Sequence, residues 1–418
     1  MRVAVIGLGY VGLVQTAALL RDGHQVCGID TNDRIRARLA RGEVPYREPG
    51  VADLIAAGHA DGRLTVTARI QDQADADLVF ICVGTEGLEN GALDLASVVD
   101  VARDLGAAAR LRPPGLPPLL LVFRCTMLPG SMRDHVLPAI RDAAGDPPGA
   151  RYDVVYHPEF TREGSALADY LAPARLVIGE NRPGAARALQ CLLAGIDAPV
   201  FMTSFEVAEL TKLADNSFHA LKVGFANEIG RLALRSNISP DAVFDIFTAD
   251  TKLNLSASYL RPGPAFGGPC LPKDVRALAA RAHAIDVAVP ILDHILASNT
   301  SHTAFLLEEI ERRTAPQSRI LLLGLSFKHG TDDLRHSSFV RLAEMIVARG
   351  HDLAIYDPDL AVDGDAETIT RLAPQLMRRI VPRVSLTTQW DLVVVGKEAP
   401  DVLSSLPETI PVFTVNRL

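Results

Sequence analysis

Residues 2 to 6 read as a strand buried on both faces and ended by glycine. A helical spacing of apolar positions then runs to about Arg21, and a second strand-like run covers Gln25 to Asp30. Apolar runs without period-two alternation mark strands covered on two sides, so this order of strand, glycine-rich turn, helix and strand predicts a right-handed βαβ unit. Further buried strands are predicted at Asp77 to Val83, Leu119 to Phe123, Asp153 to Tyr156 and Arg175 to Ile178. Proline and glycine clusters at 112–118 and 145–149 precede two of them and mark surface loops. Together these elements predict a mostly parallel sheet reaching to about residue 200.

From Ser204 the pattern becomes a long helix, with Ser204 as N-cap, Glu206 in the first turn and no proline before Pro240. Some thirty residues at a rise of about 1.5 Å make an element of roughly 45 Å, a length suited to bridging domains and carrying a dimer interface. The competing pattern is two shorter helices broken near Gly224 or Gly230. After Ala315-Pro316-Gln317 a second α/β pattern begins: strands at Arg319 to Gly324, Asp352 to Tyr356 and Asp391 to Val395, with a helix from about Ser337 to Ala348 and no glycine triplet. The expected fold class is therefore α/β, two doubly wound Rossmann-like domains joined by a long central helix, divided near 1–200, 201–300 and 301–418. In such sheets ligands bind at the carboxyl ends of the strands.

Composition narrows the function. A chain of 418 residues, 48% hydrophobic, holds more than one core, and a formal charge of -8 argues against a nucleic-acid or anionic-membrane surface, so the expected partner is a small molecule. Five cysteines, at 27, 82, 125, 191 and 270, show no Cys-x-x-Cys spacing, which fits a reducing compartment and offers no zinc site. The first twenty residues are broken by Gly7, Gly9 and Gly12, unlike a secretory leader, and no other stretch reaches the roughly 18 apolar residues of a membrane span. A cytoplasmic protein is expected.

Gly7, Gly9 and Gly12, with Tyr10 and Val11 between them, open the first helix, and Asp30 ends the second strand. The glycines suit a tight turn, close approach of a pyrophosphate and close helix packing, while Asp30 would accept hydrogen bonds from an adenine ribose. Asp30 favours NAD over NADP, with Arg34 the nearby residue that speaks the other way. Val83, Gly84, Thr85 and Thr126 close later strands at the ligand edge. Thr126 reads equally well as a site residue or as an ordinary strand-end threonine. In 157–164, His-Pro-Glu-Phe-Thr-Arg-Glu-Gly, Glu159 and Glu163 are carboxylates after a strand; in isolation such a stretch is a solvated loop more often than a site. Lys212 and Asn216 are four apart and share a helix face. In 266–274, Gly267 and Gly268 allow close backbone approach, and Cys270 precedes Lys273 and Asp274. A dehydrogenase that only interconverts alcohol and carbonyl has no need of a thiol. One that continues to a carboxylate does, because an aldehyde becomes a hydride donor only after a nucleophile adds to it.

Taken in order, GLGYVGL, VGTEGLENGALDL, RCTMLPG, HPEFTREGSALADY, ELTKLADNSFHALKVGFANEIG, LRPGPAFGGPCLPKD and GLSFKHGTDDLR resemble the nucleotide-sugar 6-dehydrogenases, the family of UDP-glucose and GDP-mannose dehydrogenases. Segments 219–223, 252–256, 259–263 and 393–396 look more like the GDP-mannose branch. The resemblance implies NAD as cofactor and a homodimer through the central helix. It implies that Lys212, with a water held by Asn216 and Asp274, assists proton loss from the C6 hydroxyl, that Cys270 attacks the aldehyde, and that Glu159 with Thr126 directs water at the thioester. Phe160, Thr161, Arg162 and Glu163 would line the sugar site with Gly267. Lys328 and the stretch 331–335, Arg335 included, would supply substrate and cofactor contacts, and Tyr259 and Arg261 would belong to the substrate site. Pro269, His157, Cys125, Thr161 and His336 depart from the family pattern. The rival readings are the same chemistry on UDP-glucose or a UDP-N-acetyl-hexosamine, a non-catalytic nucleotide-sugar or NAD-binding protein, and a two-electron β-hydroxyacid dehydrogenase.

Overall fold

The computed structural model describes residues 1–235, 237–252, 262–284, 286, 288–328, 330–363, 373–385 and 388–415. They form two compact units, Met1–Ala214 and Asp215–Leu418.

The first unit is built on β1 (Arg2–Ile6), β2 (Gln25–Ile29), β3 (Leu64–Thr67), β4 (Leu78–Ile81), β5 (Leu119–Phe123), β6 (Tyr152–Tyr156), β7 (Leu176–Glu180) and β8 (Val200–Thr203), in the order β3-β2-β1-β4-β5-β6-β7-β8. The central strands read as continuous apolar runs because helices cover both faces. Val3 and Val5 pack with Leu13, Ala17 and Leu20 of the helix Tyr10–Arg21. Ala4 and Ile6 pack on the opposite side with Val98, Ala102 and Leu105 of the helix Ala96–Arg110. The two strands that the pattern does not announce, β3 and β8, are the sheet's outermost, where one flank is unpaired and polar residues are tolerated.

The sheet is mostly parallel, as expected, with one exception: β7 runs antiparallel to β6, with Tyr156 opposite Gly179. The helix in that connection, Ala166–Leu171, has six residues and packs on Tyr10–Arg21. At about 9 Å it is shorter than the strand beside it, and the chain re-enters the sheet at the end it left. The strands β7 and β8 are parallel to each other.

The helix Phe205–Arg235 is continuous, and neither Gly224 nor Gly230 breaks it. Ser204 caps it, its hydroxyl 3.4 Å from the Val207 amide. Gly230 answers a packing need instead: a Cβ there would stand 2.7 Å from the Pro262 ring.

In the second unit β9 (Arg319–Leu323), β10 (Asp352–Tyr356), β11 (Leu392–Val395) and β12 (Val412–Thr414) form an all-parallel sheet in the order β10-β9-β11-β12. The helix Ser338–Ala348 covers one face, Phe339, Leu342 and Ile346 packing with Ile320, Leu322 and Leu392. No helix among the described residues is long and apolar enough to cross a membrane.

Candidate active site

The first glycine turn assigns a separate job to each of its glycines. Gly7 adopts a left-handed φ of 85°, and a Cβ on it would meet the Cys82 and Val83 backbone at 2.9 Å. On Gly12 a Cβ would stand 1.8 Å from the Gly7 carbonyl oxygen, so the helix can pack this close only with hydrogen there. Nothing lies within 4 Å of a Cβ built on Gly9, which is the approach a pyrophosphate needs at a helix N-terminus. Asp30 braces the turn: its Oδ2 accepts the Leu8 amide at 2.7 Å and its Oδ1 the Asn32 amide at 2.8 Å. A cavity of about 520 Å³ borders Gly7, Gly9, Asp30, Tyr46, Val83 and Gly84, and Asp100 and Asp104 also line it. Its acidic lining suits the ribose hydroxyls of NAD and opposes a 2'-phosphate. Arg34 is exposed, its amide bonded to the Asn32 cap.

Tyr10 and Val11 follow in the first turn of that helix. The Tyr10 hydroxyl bonds to Glu48, and Glu48 accepts the Gly164 and Ala166 amides at 2.7 Å each, so this carboxylate ties the loop after β6 to the glycine-rich helix. Burial first, and then Glu48, push the Tyr10 hydroxyl above its ordinary pKa.

The ends of β4, β5 and β6 bring the next group together. Thr85 donates its hydroxyl to the Thr126 carbonyl at 2.8 Å. Glu159 is buried; Lys212 lies 3.1 Å from its Oε1, while Thr161 gives both its amide, at 2.8 Å, and its hydroxyl, at 2.7 Å, to Oε2. Burial alone would raise this carboxyl, but the Lys212 charge and the Thr161 hydrogen bonds outweigh it and hold the group down at about 2. The Phe160 ring has the Lys212 ammonium 5.5 Å and the Arg175 guanidinium 4.5 Å from its centroid. Arg162 is turned to Asp169, at 2.7 Å, and Glu163 is half-buried near Tyr10.

His157 and Cys125 have local explanations. The buried His157 ring donates its Nδ1 hydrogen to the Val177 carbonyl at 2.7 Å; burial and the Arg124 charge push it down to about 3 and keep it neutral. Cys125 reaches the Ile81 carbonyl at 3.4 Å as a core thiol.

In the second unit Cys270 is exposed and stands immediately before the helix Leu271–Ala284, its carbonyl accepting the Asp274 amide at 2.9 Å. It therefore sits at the positive end of a helix dipole. Asp274 is fully buried, with Asn216 Nδ2 2.6 Å from Oδ2 and Lys273 Nζ 3.1 Å from Oδ1. The described part of the loop ahead of the thiol is held at several points. Asn227 accepts the Gly263 amide at 2.9 Å, and His302 bonds the Gly263 carbonyl at 2.7 Å. Asn299 both accepts from and donates to the Phe266 backbone at 2.8 Å, and Ser338 donates to the Ala265 carbonyl at 2.7 Å. The space that a Cβ on Gly267 would fill is taken by the His336 carbonyl, 2.5 Å away, so this glycine serves packing of the loop rather than open access. His336 itself adopts a left-handed φ of 52°. Gly268 combines a φ of 81° with a Phe327 ring 2.9 Å from where its Cβ would be. Only glycine fits this place ahead of Pro269.

Lys328 borders a cavity of about 290 Å³ with Pro264, Phe327, Phe339, Lys397 and Glu398. The Arg335 guanidinium is paired with Asp333 at 2.9 Å. Tyr259 and Arg261 lie outside the described residues.

Three domain models of one family cover this chain: the NAD-binding domain of the UDP-glucose/GDP-mannose dehydrogenase family at residues 1–196, its central domain at 206–301 and its UDP-binding domain at 321–404. The chain belongs to the UDP-glucose/GDP-mannose dehydrogenase family. It is 42% identical to the GDP-mannose 6-dehydrogenase of Pseudomonas putida over 86% of this chain and 81% of that one. With the GDP-mannose 6-dehydrogenase of Azotobacter vinelandii it shares 38% over 96% and 90%, and with a UDP-glucose 6-dehydrogenase of Haloferax volcanii 31% over 86% and 83%. Among solved structures it matches a UDP-glucose dehydrogenase from Pyrobaculum islandicum with a TM-score of 0.88, at 30% identity over 99% of this chain and 94% of that one. It also matches a ternary complex of GDP-mannose dehydrogenase from Pseudomonas aeruginosa with a TM-score of 0.59, at 37% identity over 99% and 96%. This is an NAD-dependent nucleotide-sugar 6-dehydrogenase.

Sequence reasoning missed Glu48, Asn299, His302 and Ser338, which act by holding backbone far away in the chain and so leave no local motif. Glu209 belongs with them: fully buried on the long helix, it accepts the Gly130 and Met132 amides at 2.7 and 2.8 Å and anchors the loop that follows Thr126.

Proposed function

We propose that this enzyme oxidises GDP-mannose at C6 to the uronate in two successive steps through a thioester on Cys270. Two molecules of NAD, bound in turn, would accept the two hydrides, one for each oxidation. Lys212, with a water held between Asn216 and Asp274, assists loss of the hydroxyl proton in the first. Cys270 then adds to the aldehyde carbon; its place at the head of a helix favours the thiolate, and the resulting thiohemiacetal carbon is the hydride donor that the free aldehyde is not. Glu159 and Thr126 direct water at the thioester, and the sulfur leaves with the bonding pair. Phe160, Thr161, Arg162, Glu163 and Lys328 serve the sugar nucleotide, and Gly7, Gly9, Gly12 and Asp30 the cofactor. The exposed thiol beside the buried Asn216–Asp274 pair is the observation that carries this chemistry.

GDP-mannose is favoured over UDP-glucose by the identities of 38% and 42% with GDP-mannose enzymes against 31% with the UDP-glucose enzyme. The same chemistry on UDP-glucose is the second reading, favoured by the TM-score of 0.88 with the Pyrobaculum enzyme. Initial rates with NAD and each of GDP-mannose, UDP-glucose and UDP-N-acetyl-mannosamine decide between them: the proposal requires the largest kcat/KM for GDP-mannose. The long helix supports a homodimer, since Val207, Leu210, Phe218 and Phe225 recur on it at helical spacing and each is more than 40% exposed. Its five free cysteines fit a reducing cytoplasm.

A further inference from the structure

Glu159 is gripped from both sides by atoms of the first unit. Lys212 Nζ holds Oε1 at 3.1 Å, and the Thr161 amide and hydroxyl hold Oε2 at 2.8 and 2.7 Å. A carboxylate bonded at one oxygen can swing about its last torsion; one bonded at both is fixed in plane as well as in place. The amide belongs to the backbone and would survive almost any substitution. The hydroxyl is supplied by the identity of residue 161 alone. Among the described residues it is one of three donors on the anion, and hydrogen bonds to a charged acceptor are among the stronger ones.

We propose that Thr161 is a positioning residue for thioester hydrolysis: its hydroxyl fixes the Glu159 carboxylate in the orientation from which it delivers water. This rests on the reading above, in which a sugar thioester forms on Cys270. In the step concerned, a water oxygen bonds to the thioester carbon as one of its protons passes to Glu159. The carbon–sulfur bond then breaks with its electron pair going to sulfur, and the sulfur recovers that proton. The products are the carboxylic acid and the free thiol, with no change of oxidation state. The two earlier oxidations do not use Glu159 in this way, so loss of the hydroxyl slows the last step selectively. Removing the hydroxyl leaves Oε2 with the Thr161 amide alone, a looser hold on the carboxylate, and a misaligned base loses much of its effect.

The test is pre-steady-state NADH formation with the full-length enzyme, NAD and GDP-mannose. Thr161→Val keeps the shape and the amide and removes the hydroxyl; Thr161→Ser restores it. With Thr161→Val at saturating GDP-mannose the expected result is a burst of two NADH per active site, then a steady state slowed about tenfold or more beyond any slowing of the burst. The intact mass of quenched enzyme should show a sugar adduct that Cys270→Ala abolishes. Thr161→Ser should return the steady state to within about threefold of wild type, and Thr161→Ala, folded by the criterion of NAD binding, should repeat the valine result. Wild-type turnover by the valine and alanine variants, or equal slowing of burst and steady state, overturns the proposal. A wild-type enzyme that gives one NADH per sugar refutes the thioester route itself, a result distinct from either.

Discussion

Lys397 Nζ lies 2.9 Å from Asp357 Oδ1, a buried ion pair at the carboxyl edge of the second sheet. Asp357 follows β10 as Asp30 follows β2, and its Oδ2 accepts the Leu325 amide at 2.8 Å as Asp30 accepts that of Leu8 at 2.7 Å. Gly324, with a φ of 99°, repeats the left-handed turn of Gly7. The two edges then diverge. Asp30 borders a cavity, whereas Asp357 is neutralised by an ammonium that Asp359 also binds, at 2.6 Å. Lys397→Met would leave two buried carboxylates without their cation and should cost about 3–5 kcal/mol, measured by urea unfolding.

The same pair makes a pH prediction. Burial pushes the Asp357 carboxyl up, but Lys397 and the Leu325 and Ser326 amides outweigh it, and the group is held below its ordinary value. A depressed acid contributes stability that is present above its unfolded pKa of about 3.9 and is lost as pH falls through the folded value. Wild-type unfolding free energy should therefore drop below about pH 4, and Lys397→Met should flatten that drop.

Gly9 and Gly12 should separate binding from folding. A Cβ on Gly9 meets nothing within 4 Å, so Gly9→Ala should leave Tm nearly unchanged while weakening NAD about tenfold or more, read by fluorescence titration. A Cβ on Gly12 collides with the Gly7 carbonyl at 1.8 Å, so Gly12→Ala should lower Tm and yield little folded enzyme.

Asp274→Asn should spare NAD binding and cut turnover about a hundredfold. Asn216 Nδ2 donates to Asp274 Oδ2 at 2.6 Å, and an amide nitrogen facing it would set donor against donor. Stopped-flow NADH formation and a separate NAD titration check the two halves of this statement.

The strands β1, β4, β5 and β6 were legible because both of their faces are buried, so their apolar runs need no partner to be recognised. The edge strands β3 and β8 carry threonine or exposed positions and resemble loops. The long helix was legible too, and Gly224 and Gly230 kept the competing pattern of two shorter helices open because a glycine's role in packing, such as the approach of Pro262 to Gly230, appears only in three dimensions. The same holds at the candidate site. Gly7, Gly9, Gly12 and Asp30 form a local motif with a physical reason for each residue, whereas Glu48 meets the Gly164 amide and Asn299 meets Phe266 across 116 and 33 residues of chain. The resemblance implied a sugar-site place for Thr161; that its hydroxyl turns back on Glu159 was not legible in the sequence.

The most direct measurement is the amount of NADH formed per GDP-mannose consumed by the purified enzyme, with a Cys270→Ala control. A thioester route predicts two NADH per sugar and loss of net acid formation in the variant, with NAD binding retained. One NADH per sugar, or full acid formation without the Cys270 thiol, would contradict it.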